Sequence, residues 1–378
     1  MNTWSDTFLD QKRQVQDPPA DNVIQQIVND HGIEESRKIF DVLIRNVDLP
    51  AEQLPSSISD YLRNTSILPA WADPKKIELA QSYFLDQGPK LLLILFYKSL
   101  PLLYACKNGA QVLIQTGRLA HADDQNLKFA RRIAETGQFL LHVMIPGTLK
   151  PGGEAIPAIQ KIRLIHAAIR HFVQIKEWDH ATLGRPINQE DMALTILTFG
   201  IALVDGLEKT GIQEPEEKKE AYLHTWNVIG YVLGLNEDLM AHNLSEARTL
   251  MEQILQRQAA ESEAGRVLTQ ALISFSTAHI PDGKLEAAPD ILIRFMCGND
   301  IADKLGLQTK NGCLGIVLPA FLSFLARKGE QLEDKYPQLD GLFDQLSLKM
   351  LTALVGYFDT YKGKPFTLPE VFRKQWKV

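Results

Sequence analysis

Apolar residues recur at helical spacing along nearly the whole chain, and the strict alternation of a half-buried strand is hard to find. A polar leader ends at Pro18-Pro19, and the spacing then predicts a helix over 21–46. Pro50, Pro55, Pro69 and Pro74 punctuate a looped stretch that holds one short helix. Asp73-Pro74 reads as an N-cap followed by proline at the first helical position. Two helical pieces follow at 75–85 and 89–106, then a long helix over 123–143 that Pro146-Gly147 ends. A turn cluster at 150–157 leads into a helix over 158–175. Asn188 is placed to cap a helix that reaches about 207, with Gln189, Glu190 and Asp191 in the first turn, where unpaired N–H groups favour them. Further helices are expected at 215–235, 239–257, 261–278, 289–298, 314–328 and 342–361. With no internal repeat and no obvious linker, the expectation is an all-α fold. A multi-helix domain would span 73–378, preceded by a helical and looped extension over 1–72.

Composition narrows the class. The 378 residues are 45% hydrophobic and 23% charged, which is ordinary for a globular chain and unlike a disordered one. The formal net charge of −6 gives no general pull toward nucleic acid or anionic lipid. Cys106, Cys297 and Cys313 are too few and scattered for a disulfide framework, so a reducing, cytoplasmic compartment is expected. The N-terminus shows no basic and apolar export pattern, and no greasy run reaches the roughly 18–20 residues of a spanning helix. Peripheral contact with a membrane stays open.

Two helices carry candidate chemistry. On the 123–143 helix the apolar stripe includes Phe129, Phe139, Leu140 and Val143, and Arg132, Glu135 and Thr136 fall on or beside it. Charges there are paired or used. One alternative is a salt bridge from Arg132 to a neighbouring helix; the other is a working site. On the 158–175 helix Ile162, Ile165, Ile169 and Phe172 form the core stripe, and Arg163, His166 and Arg170 share another face. That face is either a solvated basic surface, or a place where His166 offers nitrogen to a metal while the arginines neutralise a cofactor's carboxylates. His171 points away from it, and His224 precedes Trp226 on a later helix whose Gly230 and Gly234 permit close approach.

The motif Arg163-x-x-His166-x-x-x-Arg170 is followed by Trp178, by Gly184 through Asp191, by Gly206-Leu207, by Tyr222, His224 and Trp226, and by Gly230 through Gly234. This succession resembles the family of latex clearing proteins (rubber oxygenases) and fungal MpaB-type oxygenases, most clearly over 131–236. The resemblance implies a haem b in an all-α, globin-reminiscent core that encloses a haem pocket. It implies His166 as proximal iron ligand, with Arg163 and Arg170 as its companions. The family's Arg-x-x-Lys-Thr reads here Arg132-x-x-Glu135-Thr136, so a carboxylate replaces the lysine that can cap the iron. A carboxylate is a poor axial ligand for ferrous haem, so Glu135 is expected instead to act as an acid–base group beside an open distal position. A further glutamate of the family has no acidic counterpart in 111–118, which argues against rubber itself as substrate.

The expected activity is that of a haem b-dependent oxygenase acting with O2 on a small apolar, unsaturated substrate. Arg132, Glu135 and Thr136 would line the distal side; Arg163, Arg170 and His224 would lie at the cofactor. The alternatives are a peroxide-driven peroxygenase or peroxidase, a non-catalytic haem sensor or carrier, and a helical scaffold without cofactor. The oligomeric state is not encoded in any of these features.

Overall fold

Most helices begin where a cap or a proline permits it. A computed structural model describes residues 4–45, 55–116, 125–175, 177–279, 288–307 and 368–376, with 347–348, 351–352 and 355. The first helix, α1 (Asp6–Lys12), starts where the Ser5 side chain accepts from the Phe8 N–H. The next, α2 (Pro18–Arg45), kinks at Gly32, whose φ of 74° an L side chain rarely adopts. After α3 (Ser56–Asn64), α4 (Pro74–Ile94) has the predicted start, with Asp73 accepting from the Lys75 N–H at 2.9 Å. A π-helical turn (Leu95–Ser99) joins α4 to α5 (Leu100–Ala105), and α6 (Lys107–Gln115) follows. Then come α7 (Gln125–Val143), α8 (Ala155–Gln174) and the short α9 (His180–Leu183). Asn188 caps α10 (Gln189–Phe199) as expected, accepting from the Asp191 N–H at 3.0 Å. The remainder is α11 (Ile201–Lys209), α12 (Glu216–Val232), α13 (Leu244–Gln258), α14 (Glu263–His279), α15 (Ala288–Cys297), α16 (Asn299–Lys304) and a helix Glu370–Trp376. Among the described residues there is no strand, only one antiparallel bridge between Cys106 and Ala259. The fold is all-α, as expected. Also among the described residues, no helix is long and apolar enough to cross a membrane.

Several elements differ from the sequence expectation: the spacing does not predict α6, α16 or the helix Glu370–Trp376, and three further differences have a visible cause. The pieces at 75–85 and 89–106 are not separated at Pro89, because α4 runs straight through it. Proline at 89 cannot donate to the carbonyl of Leu85, which would normally break the ladder. The indole N–H of Trp376 donates to that carbonyl at 2.7 Å instead, and Gly88 leaves the room the indole needs. The expected helix from 189 to 207 divides at Gly200, where ψ of −97° leaves the helical region. There α12 comes close: a Cβ on Gly200 would stand 3.4 Å from the Trp226 Cβ. Of the expected polar leader, finally, the described part, residues 4–17, is folded. It forms α1 and a strap that lies on the body. The expected helix at 314–328 lies outside the described residues, and the one at 342–361 does so for most of its length.

Two apolar clusters hold the helices. The larger centres on the α4–α12 pair, with Tyr83 and Tyr222 edge to face at 5.4 Å. The smaller packs Ile24, Ile27 and Phe40 of α2, and Ile58 and Tyr61 of α3, onto Leu164, Ile165, Ala167 and Ala168 of α8. Ile156 and Ile159, in the first turns of α8, belong to the larger cluster. Each fully buried aliphatic side chain contributes about 1.5–3 kcal/mol, so α8 is anchored from both sides. Its place between the two clusters is thereby set.

Candidate functional site

The basic face of α8 is not solvated. Arg170 is 2% exposed, and the Arg163 side chain is covered to nearly the same degree. They are met by the strap that follows α1 and by the first turn of α2. Arg163 donates from Nε and Nη2 to the two carboxylate oxygens of Asp17, each at 2.6 Å, and from Nη1 to the carbonyl of Val232 at 3.2 Å. Arg170 donates from Nε to Asp21 at 2.7 Å, and its Nη2 lies 3.7 Å from Asp17. The Asp21 carboxylate also accepts the backbone N–H of Asp17 at 3.0 Å. Burial pushes the Asp21 carboxyl above its ordinary range, against the pull of Arg170. His166 sits between the two arginines, half-buried.

Those arginines were expected to neutralise a cofactor's carboxylates. Their charge is instead matched within the chain, by Asp17 and Asp21. A different cation is less committed. Arg132, half-buried on α7, has no ion pair or side-chain hydrogen bond among the described residues, so the salt bridge to a neighbouring helix is absent there. Its charge reaches Tyr104 on α5, where it opposes the upward push of burial on the phenol. Thr136 donates its hydroxyl back to the Arg132 carbonyl at 2.9 Å. Glu135 is half-buried on the same helix. Packing brings α7 against α8, and α14 backs α7 through Phe129 and Phe275 at 5.5 Å.

His224 is placed elsewhere. Its Nε2 accepts the backbone N–H of Asp73 at 2.9 Å, and its ring meets Trp71 edge-on at 5.7 Å. That nitrogen therefore latches the start of α4. Burial, with help from Lys76, holds this imidazole below its ordinary value. A neutral ring is the form that can accept.

A second polar cluster was missed. Arg13, on the strap, donates from Nη1 to Glu190 and Asp191, both at 3.0 Å, and from Nη2 to the carbonyl of Leu183 at 2.6 Å. Glu190, fully buried, also accepts from Arg257 at 3.1 Å and from Gln258 at 3.0 Å. Here the motif glycines find their reasons. Gly184 has φ of 73°, and a Cβ there would stand 3.0 Å from the Arg13 carbonyl. Gly234 has φ of 91°, and a Cβ there would stand 2.6 Å from both Arg163 Nε and Asp17 Oδ2. Both glycines make room for the strap. Nothing local in the sequence announces these partners, because Arg13 and Glu190 are 177 positions apart.

Do these residues suit a haem? A porphyrin supplies four nitrogens and asks of the protein one axial donor, which an imidazole provides. His166 is a half-buried imidazole on a helix held from both sides, a residue of the kind that could serve. The Arg132 guanidinium, without a side-chain partner among the described residues, is complementary to carboxylates, and the α7 stripe around Phe129 and Ile133 is apolar. Among the described residues, no three His, Cys, Asp or Glu converge on a bare metal ion.

Comparison with known proteins gives three findings. The pattern of a family described as ER-bound oxygenase mpaB/B'/Rubber oxygenase, catalytic domain, matches residues 94–321, more than half of the chain. The chain is similar to a protein named "Rubber oxygenase" from Streptomyces sp. (strain K30). Identity is 22% over 298 residues, covering 78% of this chain and 71% of that protein. It is also similar to a solved structure described as "Structure of Latex Clearing Protein LCP in the closed state". The TM-score is 0.73 at 19% identity, with 91% of each chain covered. At that identity the structural likeness speaks for the fold.

Proposed function

This chain belongs to the family of ER-bound oxygenase mpaB/B' and rubber oxygenase catalytic domains, and from that premise we propose that it is a haem b-dependent oxygenase using O2 on a small apolar, unsaturated substrate. The observation that carries the reading is the half-buried imidazole of His166, bracketed one turn away on each side by the ion-paired Arg163 and Arg170. His166 would be the axial ligand. When bound, the haem would supply the activation of O2.

The chain's own residues would do the rest. Arg132 would hold an anionic group of the cofactor or of the substrate, since its guanidinium has no partner among the described residues. Glu135 would hold or release a proton at its carboxylate. Thr136 keeps acceptor lone pairs while its proton is engaged with the helix. The aromatic backing of α7 by Phe129 and Phe275 would exclude water and favour an apolar substrate. A cytoplasmic setting belongs to the same proposal.

The test is an absorption spectrum with a pyridine haemochrome assay after hemin reconstitution, followed by O2 uptake with unsaturated lipids and terpenoids. Wild type is expected to show a Soret band and substrate-dependent O2 uptake. His166→Ala is expected to lose or shift the band, and an unchanged spectrum would overturn the ligand assignment. Glu135→Gln is expected to keep the haem while turnover falls by about 100-fold or more, the usual contribution of a positioned acid or base. Normal turnover in that variant would make Glu135 a structural residue.

A further inference from the structure

We propose that Asp17, on the N-terminal strap, is the positioning residue that fixes the direction of the His166 imidazole, acting through Arg163 and Arg170. The inference rests on His166 as axial ligand.

Asp17 holds Arg163 with both carboxylate oxygens, each at 2.6 Å, and stands 3.7 Å from Arg170. It thus touches α8 one turn before and one turn after position 166. Its own placement is over-determined. The side chain is 5% exposed, its backbone N–H is bound by Asp21, and two prolines with fixed φ follow it. Asp21 closes the circuit by accepting from Arg170 at 2.7 Å. The third Arg163 nitrogen reaches the end of α12 at Val232, so strap, α8 and α12 meet at one guanidinium.

Apolar packing alone leaves a helix small freedoms of rotation and sliding. Two arginines pinned on either side of one residue remove them. Direct hydrogen-bond partners of a ligating imidazole commonly contribute roughly 10–100-fold in metal affinity; Asp17 acts one step further out, through the helix that carries the ring. Gly234 shows how closely this contact is built, since any side chain there would strike both Asp17 and Arg163. The strap is itself tied down by the motif loop, with the Arg185 N–H donating to the Arg13 carbonyl at 2.9 Å and the Gln189 N–H to the Val15 carbonyl at 3.0 Å.

The experiment reconstitutes full-length wild type, Asp17→Asn, Asp17→Glu and Asp21→Asn with hemin. It reads hemin affinity, the ferric and ferrous absorption and EPR spectra, and thermal unfolding of the apoprotein. Asp17→Asn is expected to lose hemin affinity by less than the roughly 10–100-fold of a direct partner of a ligating histidine, and to show altered spectra. Asp17→Glu, which keeps the charge, is expected to recover part of both. Asp21→Asn is expected to give a smaller change in the same direction. Wild-type affinity and spectra in Asp17→Asn would overturn the proposal, whatever its melting temperature. If Asp17→Asn does not fold, unchanged spectra in Asp21→Asn and Asp17→Glu would overturn it. Wild type that takes up no hemin would overturn the haem reading itself, a result separable from the others.

Discussion

Two clusters of arginine and carboxylate grip the same strap, and they are built in opposite senses. Around Glu190 the carboxylates come from the body of the protein, at the start of α10, while the strap brings Arg13 and α13 brings Arg257. Around Arg163 and Arg170 the body brings the cations, on α8, while the strap brings Asp17 and the first turn of α2 brings Asp21. The first cluster is closed: Glu190 is fully buried and accepts from two arginines and one glutamine. The second frames an imidazole. The Glu190 cluster therefore looks like an anchor for the architecture, and the α8 cluster like a frame for a ligand. A buried pair is a weak guide to stability in itself, but removing one partner leaves the other charge stranded.

The largest expected effect tests the anchor. Glu190→Ala should destabilise the apoprotein by about 1.5–3 kcal/mol, the scale of hydrogen bonds lost from a charged group, because Arg13 keeps Asp191 and Arg257 keeps Asp10; denaturant unfolding reads it. The fraction that still folds should bind hemin with the wild-type spectrum. The Asp17 substitution should show the reverse, a spectral effect out of proportion to its stability effect. If Glu190→Ala altered the spectrum as much as Asp17→Asn does, the two clusters would not be functionally distinct.

Neutral polar contacts set the lower end of the scale. His224, through its bond to Asp73, contributes about 0.5–1.5 kcal/mol by the measure of an ordinary hydrogen bond. Its folded value is depressed below the ordinary 6.5, so the contribution is complete above that pH and is lost as pH falls through the folded value. His224→Gln keeps an acceptor that does not titrate. Its thermal unfolding should lack this acid-side component and otherwise match wild type. An identical pH profile would show that the latch at Asp73 is not linked to protonation.

Local signals in the sequence were legible because they act over one or two turns. The apolar stripe of α8 appears as Ile162, Ile165 and Ile169, and it packs on α2. The Asn188 and Asp73 caps sit where residue type and spacing put them. The candidate site was legible only as far as periodicity reaches, which places Arg132, Glu135 and Thr136 on one helix and His166 between two arginines on another. What those arginines face was not legible. A basic helical face has the same pattern whether water or a buried carboxylate covers it.

By itself, then, the sequence determined helix type, most helix starts, and the residues that share each face, because these depend on backbone geometry and near neighbours. Tertiary structure alone decided that the leader is a strap, that Trp376 lets α4 pass through Pro89, and that His224 holds a helix start. It also decided which charges are already matched. The reason is range: a carbonyl, a guanidinium or an imidazole can be satisfied from any part of the chain. Which partner reaches it, and how dry the meeting place is, follows from packing rather than from spacing.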